Sequence, residues 1–96
     1  MTMDGRRKTG RVDARTAWVV EPRGVALIHL AHGRRRELAC PEAAIWDLAV
    51  RGRTRDDIRS MMEVIAGIGP HEAQTLVDSC LAQWLEEGWL IPGGLE

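Results

Sequence analysis

The side chains able to do covalent or metal chemistry in this chain are few: Cys40, Cys80, His29, His32, His71 and scattered hydroxyls. Nucleophilic catalysis needs an activated nucleophile held against a base, and no motif joins these residues into such a pair. Cys40 and Cys80 lie far apart with neither a CxxC nor a Cys/His spacing, so neither a disulfide framework nor a zinc site is indicated. Both read as small buried apolar fillers. His29 and His32 form an HxxH pair, but on a strand running into a turn their side chains need not point the same way. A half-buried strand histidine followed by a turn histidine is the simpler reading. Gly5, Gly10, Gly24 and Gly33 fit neither P-loop nor dinucleotide spacing. The expectation is a chain that is not an enzyme and holds neither cofactor nor metal.

The charges are the next candidates. Basic residues cluster at Arg34-Arg35-Arg36 and at Arg51, Arg53, Arg55 and Arg59, whereas Val64 to Glu96 holds no Lys or Arg and carries Glu72, Asp78, Glu86, Glu87 and Glu96. A DNA-reading helix must bring bases to phosphates and base edges, so a helix in that acidic third of the chain would be repelled by a duplex. DNA binding through the other, basic surface stays open as an alternative. Over the whole chain 13 Lys+Arg face 14 Asp+Glu, so net charge names no partner. No apolar run approaches the roughly 18 residues of a membrane span, and the first residues lack the apolar core of a secretory signal. A cytoplasmic location without membrane contact is expected.

With 96 residues the chain has room for one domain. Residues 1–15 hold Arg6, Arg7, Lys8, Arg11 and Arg15 with Val12 as the sole branched apolar residue, and read as a flexible basic tail. The domain is expected over 16–92, with 93–96 a C-terminal tail. Thr16 to Glu21 favours a strand through Trp18, Val19 and Val20, and Glu21-Pro22-Arg23-Gly24 is turn chemistry. Val25 to Leu30 reads as a second strand, apolar on both faces. Arg34 to Ala39 then runs back as a third, completing an antiparallel meander.

Pro41 suits the first turn of a helix, and Ala44, Ile45, Leu48 and Ala49 recur at helical spacing until Gly52. Thr54 and Asp57 make a capping-box start for a second helix with the apolar stripe Ile58, Met61, Met62 and Ile65. A third follows Pro70 and ends at Gly88. Its apolar arc, from Leu76 to Leu85, spans about 180° where a one-sided core helix needs about 100°. One edge of that arc is therefore available to something beyond the core. The fold class expected is α+β: a three-stranded antiparallel sheet followed by three helices, in winged-helix-like order.

Leu38 followed by Ala43-Ala44-Ile45-Trp46-Asp47-Leu48, then Gly52-Arg53-Thr54 with Asp57-Ile58, resembles the PqqD-like proteins, the recognition elements of ribosomally made, post-translationally modified peptides. Val77, Leu81, Trp84 and Gly88-Trp89-Leu90 look like that family's third helix and the apolar residues after its closing glycine. The resemblance covers about Ala17 to Ile91. Ala39 departs from it, standing where the family commonly has an Asn able to cap the first helix.

The resemblance implies a non-catalytic chaperone that binds the leader of a precursor peptide and presents it to a modifying enzyme, often a radical-SAM enzyme. Its usual mode is strand addition along the third strand, with apolar leader side chains entering the groove beside the third helix. Mapped here, the pairing edge is Arg34, Arg35, Arg36, Glu37, Leu38 and Ala39. The arginines serve either to blunt that edge or to attract an acidic leader. On the helix two flanks remain open, Asp78 with Leu81 and Leu85, taken here as the groove wall, or the Leu76 side. The same edge is also open to pairing with a second copy, as a homodimer.

Overall fold

The computed structural model describes residues 11–91. In chain order its elements are β1 (Arg11–Val12), β2 (Thr16–Glu21), β3 (Gly24–His29), β4 (Arg35–Ala39), α1 (Glu42–Val50), α2 (Arg55–Ala66), α3 (Pro70–Glu87) and β5 (Leu90–Ile91). The α+β architecture is the expected one, with β2, β3 and β4 forming an antiparallel sheet in that order. The β2–β3 register places Trp18 opposite Leu27, and the β3–β4 register places Leu27 opposite Arg36. Side chains alternate between the two faces of a strand. Val25, Leu27 and Leu38 therefore share the face turned to the helices, where all three are buried.

Gly24 is required by this meander. A Cβ at that position would lie 1.9 Å from the Leu38 carbonyl oxygen, so only glycine lets β4 approach β3 so closely at the start of the hairpin.

The helices follow their sequence signals. The Thr54 hydroxyl accepts a hydrogen bond from the Asp57 N–H at 3.1 Å and caps α2. Gly88, at φ 87°, closes α3 in the left-handed conformation. At α1 the N-cap is Pro41, with no side-chain cap bond. Ile45 and Trp46 of α1 are fully buried. Trp46 stands edge-on to Trp18 of β2 at 5.8 Å and to Trp84 of α3 at 5.3 Å, joining sheet, first helix and third helix through one aromatic chain.

Three expectations need correction. The basic tail does not run to residue 15, because β1 pairs with β5, Val12 opposite Leu90, and the Asp13 N–H donates to the Trp89 carbonyl at 3.1 Å. The remainder of that tail and the C-terminal one lie outside the described residues. Cys40 is exposed rather than a core filler, whereas Cys80 is buried. In α2 only Ile58 and Met62 of the apolar stripe are buried, and Met61 and Ile65 are exposed. The nine-residue α1 and the longer α3 cover too little of α2 to use its full stripe.

Candidate peptide-docking edge

β4 occupies one margin of the sheet, and among the described residues no strand lies on its outer side. Its backbone orientation follows from one bond. The His29 N–H donates to the Arg34 carbonyl at 2.8 Å, one step along the same register that pairs Ile28 with Arg35. Hydrogen-bonded and non-bonded pairs alternate in an antiparallel ladder. Arg36 and Leu38 therefore turn their backbone groups to β3, and Arg35, Glu37 and Ala39 turn theirs outward. A row of donors and acceptors able to receive an added strand is the result.

The side chains of β4 split the other way. Leu38 is buried, Arg36 is half-buried on the helix side, and Arg35 and Glu37 are exposed on the far face. Each of the three neighbouring arginines has a partner within the chain. Arg35 Nη2 lies 2.8 Å from Glu37 and 3.9 Å from Glu21. Arg36 Nη1 donates to both Glu87 oxygens at 2.6 Å. Arg34 Nη2 donates to the Glu87 carbonyl at 2.5 Å, at the negative end of α3, and its guanidinium carbon sits 4.9 Å from the Trp89 ring centre.

Glu87 is the hub of this contact. Its carboxylate also accepts from Gln83 Nε2 at 3.0 Å and from Trp89 Nε1 at 2.8 Å. Burial pushes its pKa up, but the hydrogen bonds from Trp89, Gln83 and Arg36 outweigh that and hold it below the ordinary 4.5. A charged carboxylate is thereby kept at the junction of β4 and α3.

That junction decides which flank of α3 faces the strand. Nine residues separate Asp78 from Glu87, about half a turn around a helix. Glu87 meets Arg36 of β4, while Asp78 meets Arg55 at the start of α2, at 3.1 Å. The strand-facing flank thus carries Leu76, Cys80, Gln83 and Glu87, which share a face at spacings of four, three and four residues. Burial, and then the Glu42 charge, push the Cys80 thiol up to about 11; the nearby Arg36 acts in the opposite sense.

The three α3 residues expected on the groove wall do not lie on this strand-facing flank. Asp78 lies on the α2 side, Leu85 is only partly buried on the same side of α3 as Asp78, and Leu81 is fully buried in the core with no surface to offer. Leu76, half-buried against the core, marks the other flank. Asp78 and Glu87 are both acidic and both flank the apolar arc, so only their partners, 23 and 51 residues away, distinguish them.

The histidine pair resolves differently. His29 is buried and stacks on His32 with ring centres 3.9 Å apart and planes 4° from parallel. Stacked rings aim their nitrogens along parallel planes rather than at one point, which is not a chelating geometry. Burial first, and the neighbouring His32 next, hold His29 below its ordinary pKa, and its Nδ1 accepts from the Ala31 N–H. Among the described residues no group of three or more His, Cys, Asp or Glu is placed to hold a metal, and no helix is long and apolar enough to cross a membrane.

Two solved structures share this fold. One is TbiB1 in complex with the TbiA(beta) leader peptide, with a TM-score of 0.79 and 16% identity over 84% of this chain and 94% of that one. The other is lasso peptide synthetase B1 complexed with the leader peptide, with a TM-score of 0.80 and 16% identity over 85% and 96% of the two chains. No family model matches the sequence, and no curated protein does.

Proposed function

We propose that this chain binds the leader region of a ribosomally made precursor peptide by strand addition along β4 and presents it to a modifying enzyme, without catalysing a reaction itself. The observation that carries the reading is the open outer ladder of Arg35, Glu37 and Ala39, in a fold shared with two proteins solved with leader peptides. An added strand satisfies those backbone groups irrespective of sequence, and its alternate side chains turn toward the half-buried Leu76 and the exposed Gln83 on the strand-facing flank of α3. Backbone pairing then supplies affinity, and that flank supplies selection.

Because Arg34, Arg35 and Arg36 already have carboxylate, carbonyl or aromatic partners, attraction of an acidic leader is a weaker part of this reading than edge protection. The winged-helix nucleic-acid alternative gains nothing here. Arg51, Arg55 and Arg59 pair with Asp47, Asp78 and Asp56, which leaves Arg53 as the one member of that cluster without a carboxylate partner among the described residues, too little for a phosphate-binding face. A radical-SAM enzyme is the kind of partner that the PqqD-like resemblance implies.

The test is calorimetric titration of the full chain with a precursor peptide encoded beside it, with and without the leader segment. Binding at micromolar affinity or tighter that requires the leader supports the reading. Equal binding after leader deletion, or none with the modifying enzyme present, contradicts it.

A further inference from the structure

The opposite margin of the sheet is β2, and among the described residues it too has no strand on its outer side. The Leu30 N–H donates to the Arg15 carbonyl at 2.7 Å, in register with the Thr16–His29 pair, so Ala17, Val19 and Glu21 turn their backbone groups to β3. Thr16, Trp18 and Val20 turn theirs outward, the Thr16 N–H alone being taken by the Asp13 carbonyl at 2.9 Å. This edge carries large exposed apolar side chains: Trp18 is 39% exposed, Val19 51% and Val20 73%. It has no lysine, proline or internal charge from Thr16 to Val20 to blunt it.

We infer that β2 pairs with β2 of a second copy of this chain, antiparallel about a twofold axis at Trp18, forming one six-stranded sheet. Only residues with outward backbone groups can bond across such an edge, so each bonded pair joins two of Thr16, Trp18 and Val20. The register that uses the whole strand sets Trp18 opposite its twin and Val20 opposite Thr16. Trp18 then exchanges both its backbone bonds with the partner, and each Val20 N–H reaches a Thr16 carbonyl.

The same register brings Arg15 opposite Glu21, twice by symmetry. β2 is thus flanked by opposite charges at its two ends, which an antiparallel copy matches and a parallel one does not. Arg15 and Glu21 remain exposed in the single chain, their ion partners among the described residues being Asp13 at 3.5 Å and Arg35 at 3.9 Å respectively.

β4 does not offer this. Its outward residues are Arg35, Glu37 and Ala39; the register centred on Glu37 sets like charges opposite, and the one centred on Arg36 matches Arg35 with Glu37 but sets Arg36 against Arg36 and brings together no exposed apolar side chains of the kind β2 carries in Trp18 and Val20. Self-association at β2 also leaves both β4 edges at the outer margins of the joined sheet, so the inference does not depend on what β4 binds.

Sedimentation equilibrium of the full chain, from micromolar to millimolar concentration, tests it. The expected result is a monomer–dimer equilibrium that Arg15→Glu weakens about tenfold and that Arg15→Glu/Glu21→Arg restores to within about threefold of the parent. Val20→Pro, at an exposed site whose N–H makes no bond to β3, abolishes the dimer while circular dichroism stays that of the parent. A parent chain monomeric at millimolar concentration overturns the inference. So does failure of the double reversal to restore association, or loss of the dimer in Glu37→Pro but not in Val20→Pro.

Discussion

β2 and β4 bound the same three-stranded sheet, each with alternate backbone groups turned outward, yet they present different surfaces to an incoming strand. β4 is short, carries Arg35, Arg36 and Glu37, and is tied through Arg36 to Glu87 at the end of α3. β2 is longer by one residue and apolar from Ala17 to Val20, with Glu21 at its end and Arg15 just before its start. The difference teaches that an exposed edge is selective through side-chain charge rather than through its hydrogen bonds, which every edge offers. An edge with charges of both signs inside it gains little from its own copy and remains open to a foreign strand; an apolar edge flanked by opposite charges complements itself.

Removing one edge altogether has the largest effect. Gly24→Ala forces a methyl group into the Leu38 carbonyl, so it is expected to cost about 1–3 kcal/mol and to loosen β4 from β3. Urea unfolding measures the loss, and peptide binding falls with it.

Glu37→Pro is finer. The Glu37 N–H makes no bond to β3, so the fold is retained, but one outward donor disappears and the ring obstructs the edge. Leader affinity by calorimetry is expected to drop about tenfold or more. Val20→Pro, the matching change on β2, leaves it unchanged. Equal losses from both variants would erase the distinction between the edges.

Glu87→Gln tests the tie between β4 and α3. The folded-state pKa of Glu87 is lowered, so its stabilisation is complete above the ordinary 4.5 and is lost as pH falls through the lower folded value. The parent is therefore expected to lose stability on acidification below about pH 4.5 more steeply than the variant. At neutral pH the substitution costs no more than about 1 kcal/mol, because the pair is partly solvated.

The smallest effect is chemical. In the folded chain at neutral pH, the exposed Cys40 reacts with a thiol reagent while Cys80, buried and with its pKa at about 11, does not. Reaction of both thiols at equal rates would mean that Cys80 is not held in the core beneath Leu76.

Much of this was legible from the residues. Trp18-Val19-Val20, the Glu21-Pro22-Arg23-Gly24 turn, Thr54 with Asp57, and Gly88 each act through local sterics or a hydrogen bond within a few positions, and their elements lie where the sequence places them. The site was legible only in half. The β4 edge follows from strand order, but the strand-facing side of α3 depends on Arg36 meeting Glu87 and Arg55 meeting Asp78, contacts between distant segments with no local signature. β1 leaves no signal in the sequence because two residues show no periodicity, and Leu81 is indistinguishable there from a groove residue because an apolar arc does not mark where core ends and surface begins.

Amide hydrogen exchange read residue by residue, with and without the leader peptide, tests the central claim most directly. The account predicts that the leader slows exchange at Arg35, Glu37 and Ala39, whose amides face outward, and leaves Trp18 and Val20 unchanged. Protection gained at Trp18 and Val20 while Arg35, Glu37 and Ala39 stay unchanged would contradict it and move peptide binding to β2.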